Sequence, residues 1–147
     1  MSTHTSLDRF PQGGSYKPSG GWWLVADDDP EIRSVLASII EDEFGANVIP
    51  CSSGDAAWSA WKSLSGVQGI VTDWDMPGMD GLELAAKIHA ENPDLPIILI
   101  TGRREELKWN RMLKAGVRQV VTKPFTCKGL VAAVRQSLLM ACSLAAA

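Results

Sequence analysis

Five short apolar runs punctuate the chain, and between them apolar residues recur at helical spacing. The runs at 22–26, 46–49, 69–72, 97–101 and 119–122 predict strands. The clearest helix follows the first run. Asp29 stands where a cap belongs, Pro30 occupies a first-turn position that tolerates proline, and Gly45 follows the end. Its apolar stripe of Ile32, Val35, Leu36, Ile39 and Ile40 predicts one buried face. A second helix is expected over 54–64, with Trp58, Trp61 and Leu64 on one side. A third is expected over 82–90, with Leu82, Ala85 and Ile88 inward. A fourth over 105–115 has a poorer stripe, and a last over 128–142 carries Leu130, Val134 and Leu138.

Alternation of this kind predicts an α/β fold: a doubly wound, five-stranded parallel sheet with helices on both faces. Pro50 cannot donate to a strand ladder, which places the second strand at an edge. An edge second strand gives the flavodoxin-like order 2-1-3-4-5.

A chain of 147 residues suffices for one domain, and 46% hydrophobic against 21% charged residues is a globular balance. Residues 1–21, rich in Ser, Thr, Gly and Pro, read as a flexible tail; 22–142 read as the domain, and 143–147 as a short C-terminal tail. No apolar run is long enough to span a bilayer and no signal-peptide core opens the chain, so the expected compartment is the cytoplasm, with no membrane partner. Cys51, Cys127 and Cys142 form no paired motif and are expected as reduced thiols packed as small hydrophobes.

Charge is unevenly placed. Between Asp27 and Asp94 lie 14 of the 17 acids and three bases; between Arg103 and Arg118 lie six bases and two acids. The basic stretch is either a solvated helix face or a docking surface for an acidic partner, and the sequence leaves both open. Direct nucleic-acid binding fits poorly, because the net charge is −3 and no aromatic residues interleave with the bases.

In a sheet of this order ligands bind beyond the carboxyl ends of the strands, at the switch point between strands 1 and 3. Strand 1 ends in Asp27-Asp28-Asp29, strand 3 in Asp73, strand 4 in Thr101 and strand 5 in Lys123-Pro124. Asp29 is accounted for as a helix cap; Asp27 and Asp28 are not. Carboxylates crowded together repel unless a cation joins them or some take up protons. A hard divalent cation such as Mg²⁺ suits one or two carboxylates and a phosphate oxygen. With an ammonium and a hydroxyl added, the set fits a phosphoryl group, and the Asp73 carboxylate becomes a candidate nucleophile forming an acyl phosphate. The turn Met76-Pro77-Gly78 after it would leave it accessible.

The stretches "LVADDDPEIR", "IVTDWDMPGMDGLEL", "IILITG" and "VVTKPF" resemble a response-regulator receiver domain of two-component signalling, of the chemotaxis-regulator kind, over nearly the whole chain from Trp22. The resemblance implies Asp73 as phosphoacceptor and Asp27 and Asp28 as the acidic pair for Mg²⁺, with Asp28 the direct ligand and Asp27 acting partly through water. It implies Asp75 as the donor of a backbone carbonyl to the metal, Thr101 as the switch hydroxyl, and Lys123 as the phosphate-binding lysine, its bond to Pro124 often cis in the family. It further implies a histidine kinase or histidine phosphotransfer protein as phosphodonor, and a downstream protein partner on the face from helix 4 to helix 5. The domain would then be a signalling switch rather than an enzyme, and a homodimer stays open.

Two departures stand out. The family often carries Tyr or Phe three residues before the lysine, where this chain has Val120, and Gly102 follows Thr101 where relatives often have Ala. Arg103, two past Thr101, is opposite in charge to Asp75 and is expected to reach it across the site. No output module is read after the last helix, which suits either a stand-alone receiver or an excised piece of a longer protein. Two rivals remain. A haloacid-dehalogenase-like phosphatase shares the D-x-D of "TDWD", but keeps its acidic pair downstream and usually has a hydroxyl or small polar residue where this chain has Pro77. A binding module that needs no phosphate would leave Asp28, Asp73, Thr101 and Lys123 without purpose. His89 is expected on a helix surface, and Trp58 and Trp61 as core or half-exposed packing.

Overall fold

The computed structural model describes residues 21–146, with side chains described through residue 140; all of the expected tail at 1–21 but Gly21, and the side chain of Cys142, lie outside the described residues. The elements are β1 (Trp22–Ala26), α1 (Pro30–Phe44), β2 (Asn47–Cys51), α2 (Gly54–Ser63), β3 (Val67–Asp73), α3 (Gly81–Glu91), β4 (Ile97–Thr101), a 3-10 turn (Arg104–Glu106), α4 (Trp109–Lys114), β5 (Gln119–Thr122) and α5 (Cys127–Ala146). All pairings are parallel, in the order β2-β1-β3-β4-β5 expected from the sequence. β2 is the edge strand that Pro50 requires, with Pro50 opposite Val25.

Alternate residues of the central strands feed two cores. Leu24, Ile70, Ile97 and Leu99 face one side, with Ala57 of α2 and Leu84, Ala85 and Ile88 of α3. Trp23, Val25, Val71, Ile98 and Ile100 face the other, with Leu36 and Ile40 of α1 and Leu130 and Val134 of α5. This two-sided burial is why "IILI" is apolar throughout rather than alternating. Each such side chain contributes on the order of 1.5–3 kcal/mol of transfer free energy.

Helix ends follow local chemistry. Asp29 Oδ1 accepts from the amides of Glu31 at 2.9 Å and Ile32 at 3.4 Å, and Gly45 closes α1 in the left-handed region at φ 62°. Asp80 and Glu83 form a reciprocal capping box at the start of α3.

Several expectations need correction. Val35 of α1 is 50% exposed, because the buried arc follows Leu36 and Ile40 at i, i+4 and leaves residue 35 to the side. The expected fourth helix divides into the 3-10 turn and the six-residue α4, whose only buried residue is Met112; the poor stripe could not support a longer helix. α5 continues past the expected end at 142 to Ala146. Cys51 is buried as expected, its thiol pushed up to about 12 by burial despite the nearby Arg33 charge, but Cys127, the first residue of α5, is exposed. His89 is half-buried rather than superficial. Its ring packs on Gly116, which has φ 83° and no Cβ to obstruct it, and its Nδ1 is buried without a hydrogen-bond partner. Trp58 and Trp61 pack half-buried on the core. Among the described residues no helix is long and apolar enough to cross a membrane.

Candidate functional site

The parallel register brings the strand ends to one rim. Ala26 pairs with Thr72, Asp73 with Ile100 and Thr101 with Thr122, so the residues that follow these positions converge. Backbone bonds continue the alignment beyond the strands: the Asp27 amide donates to the Cys51 carbonyl at 3.1 Å, that of Trp74 to Ile100 at 2.9 Å, and that of Lys123 to Thr101 at 2.8 Å.

Asp27, Asp28 and Asp73 form one cluster, with a carboxylate oxygen of each lying within 4.8 Å of the others. Asp27 and Asp73 are buried and Asp28 faces solvent. Lys123 Nζ stands 3.2 Å from Asp27 Oδ2 and 3.2 Å from Asp73 Oδ1. Asp27 also accepts the Asp29 amide at 2.9 Å through Oδ1, and its carbonyl accepts Arg33 Nη1 at 2.8 Å. The Lys123–Pro124 bond is cis.

The electrostatics follow from this crowding. Burial first, and the Asp27 charge second, push the Asp73 carboxyl up to about 6 against the counter-pull of Lys123. Burial works against the Lys123 ammonium, but Asp73 and Asp27 outweigh it and the lysine is held above its ordinary value. The group is thus a carboxylate near neutrality, held beside a permanent cation and short of positive charge overall. Three carboxylates set together form the donor set a hard cation takes, so Asp28, Asp73 and Asp27 fit Mg²⁺.

Thr101 is fully buried, and its Oγ1 accepts the Arg103 amide at 2.9 Å, leaving its own proton free to donate. Asp75 lies outside the carboxylate cluster. Its side chain is held by Arg103, whose Nε reaches Oδ2 at 3.0 Å and whose Nη2 pairs with Oδ1, the contact expected from the sequence. The same guanidinium pairs with Glu106 at 2.7 Å and lies 4.7 Å from the centre of the Trp74 ring.

Some contributors were not anticipated. Arg33 braces the carbonyl of Asp27; it is the only base between Asp27 and Asp55, one turn into α1, and that isolation was the available signal. Gly81 is required because a Cβ there would run into the Asp73 carbonyl and Leu99. Thr72 Oγ1 donates to that same carbonyl at 2.9 Å. Nothing in the sequence alone marks Trp74 as the platform beneath Arg103.

With this geometry in place, comparison with known proteins gives a consistent result. Residues 23–135 match the model of the response regulator receiver domain. A chemotaxis protein of Campylobacter jejuni, a CheY homolog, is 35% identical over 105 residues, which cover 70% of this chain and 81% of that protein. A C4-dicarboxylate transport transcriptional regulatory protein, DctD of Pseudomonas aeruginosa, is 34% identical over 116 residues, covering 78% of this chain but 24% of the regulator. A crystal structure of a response regulator receiver domain protein from Clostridium thermocellum shares the fold with a TM-score of 0.75 at 22% identity, covering 84% of this chain and 98% of that one.

Proposed function

The chain belongs to the response-regulator receiver family, a signalling family, and on that premise we propose that Asp73 accepts a phosphoryl group from a phosphohistidine of a histidine kinase or histidine phosphotransfer protein. The observation that carries this reading is the Lys123 ammonium shared at 3.2 Å between Asp73 and Asp27 within a three-carboxylate cluster.

In the proposed step an Asp73 oxygen forms a bond to phosphorus as the donor's N–P bond breaks, and the histidine imidazole leaves. Asp73 titrates near 6, so at neutral pH it is mostly the carboxylate that such an attack needs. Lys123 holds the incoming phosphoryl oxygens, and the Thr101 hydroxyl donates its free proton to one of them. Asp28, Asp73, Asp27 and the backbone carbonyl of Asp75 would hold Mg²⁺, which when bound offsets the negative charge of the carboxylates and the phosphoryl oxygens. Arg33 and the Asp29 amide keep Asp27 in place, while Gly81 and Thr72 fix the carbonyl of Asp73.

The output is a docking surface running from α4 to α5. Trp109 and Leu113 of α4 are 63% and 52% exposed and are flanked by Lys108, Arg111 and Lys114, which suits an apolar, acidic protein segment.

The test is phosphorylation by a small-molecule donor, phosphoramidate, followed by intact-mass spectrometry. One Mg²⁺-dependent, hydroxylamine-sensitive phosphoryl group on wild type, absent from Asp73→Asn, is expected. Sustained turnover of p-nitrophenyl phosphate without labelling would point to a phosphatase instead.

A further inference from the structure

Arg103 makes more connections across the rim than any one of them requires. Its amide holds Thr101 Oγ1 at 2.9 Å. Its Nε and Nη2 grip both oxygens of Asp75, in the loop leaving β3. Its Nη1 pairs at 2.7 Å with Glu106, in the 3-10 turn leading to α4. The guanidinium covers Trp74, the residue next to Asp73, at 4.7 Å. β3 and β4 are sheet neighbours, with Asp73 opposite Ile100, so this single residue fastens the loop that leaves β3 after Asp73 to the loop that leaves β4, and ties both to the approach to α4. Val120, by contrast, is a half-buried aliphatic with no polar side-chain atom to report charge.

We propose that Arg103 is the positioning residue that relays phosphorylation to α4, by exchanging its fork from Asp75 to the phosphoryl oxygens on Asp73. This rests on Asp73 being the phosphoacceptor, as proposed above. A phosphoryl group adds close to two negative charges and three strong acceptors. A guanidinium matches such an oxygen pair as well as it matches a carboxylate. The new charge also repels Asp75, which weakens the existing pair from its other side. Since Arg103 carries Glu106 with it, exchange pulls on the 3-10 turn. α4 can follow, because it is six residues long, has no side-chain cap and buries only Met112. The relay runs through ion pairs on the rim rather than through the side chain at residue 120.

The experiment is NMR of the ¹⁵N-labelled full chain with and without Mg²⁺ and beryllofluoride, an acyl-phosphate mimic. It compares wild type with Arg103→Ala, Arg103→Lys and Asp75→Asn. In wild type the Arg103 Nε–H resonance and the amides of residues 108–114 shift on binding. In Arg103→Ala and Arg103→Lys the comparison is made at saturating beryllofluoride, where the amides of residues 72–74 report the bound mimic, and there the α4 shifts fall by half or more. Asp75→Asn, which releases the fork, moves the α4 amides part of the way without beryllofluoride. A full α4 response in Arg103→Ala overturns the relay, and one in Arg103→Lys overturns the fork exchange by showing that charge alone suffices. Wild type that takes up no beryllofluoride at all would instead sink the phosphoacceptor reading, and the relay with it.

Discussion

Lys123 and Asp27, 96 residues apart in the chain, meet at 3.2 Å on the floor of the site, and the lysine is equally close to Asp73. Asp27 is fully buried, so the ammonium is the principal compensation for two desolvated carboxylates. Removing one partner of such a group leaves uncompensated buried charge, which typically costs about 3–5 kcal/mol. Lys123→Ala is therefore expected to lower the unfolding free energy by about 3 kcal/mol in urea titrations at pH 7.5 without Mg²⁺. The deficit should narrow at pH 5, where Asp73 carries its proton in both proteins and only the bond to Asp27 is missing.

Asp73 itself works against folding when ionised. Its folded value of about 6 lies above the ordinary 3.8, so between these values the native state binds the extra proton. Stability from this group is then full below the unfolded value and is lost as pH rises through about 6, a difference of roughly 3 kcal/mol. Asp73→Asn should melt higher than wild type at pH 7.5 in Mg²⁺-free buffer, by roughly 5–10 °C for a chain of this size. The gap should shrink to about a third of that size at pH 4.5 and vanish only below the unfolded value of 3.8. Calorimetry across that range checks both the sign and the window.

The same proton competes with a cation for the Asp73 oxygen. Mg²⁺ titrations followed by the NMR shifts of residues 72–74 should show an apparent affinity that is level above pH 7 and falls about tenfold per unit below 6. Affinity independent of pH between 5 and 7 would mean that the ion is held without Asp73.

Much of this arrangement is legible in the sequence because strand ends are. Asp27, Asp73, Thr101 and Lys123 each end or follow an apolar run, and once the strand order is known a parallel sheet must bring those ends to one rim. Pro50 disclosed the edge and Asp29 the first cap by local chemistry alone. What was not legible depended on tertiary approach. The fourth helix shrank because most of its length finds no core to pack on, and Val35 turned outward because its neighbours, not its hydrophobicity, decide the buried arc. Gly116 admits the ring of His89 from an element 27 positions on, a contact no periodicity encodes. The Arg103–Asp75 pair was foreseeable from charge, whereas the Trp74 stack and the Glu106 partner were not.

Gly81 links the start of α3 to the carbonyl of Asp73, and a methyl there has no free space. The obstruction is backbone rather than a flexible side chain, so either β3 or α3 must shift. Gly81→Ala should cost about 1–3 kcal/mol, as overpacking does. It should also displace the Asp73 carboxylate from Lys123, weakening beryllofluoride binding more than an equally destabilising change far from the rim. Ile88→Val, buried at the other end of α3, is the control for stability alone.

Trp109 gives the most direct test of the output face. At 63% exposed on a short helix it buries little against its own domain, so Trp109→Ala should change the unfolding free energy by no more than about 0.5 kcal/mol. A large aromatic left in water beside Lys108, Arg111 and Lys114 is, however, the residue type that dominates binding when a partner covers it. Loss of about 2 kcal/mol, roughly 30-fold in affinity, is expected for the protein partner recovered with the beryllofluoride-loaded chain. Reversing the charge of Lys108 or Arg111 should instead slow association and flatten its salt dependence, because rim charges steer more than they hold. Unchanged affinity in Trp109→Ala, with folding intact, would move the docking surface away from α4.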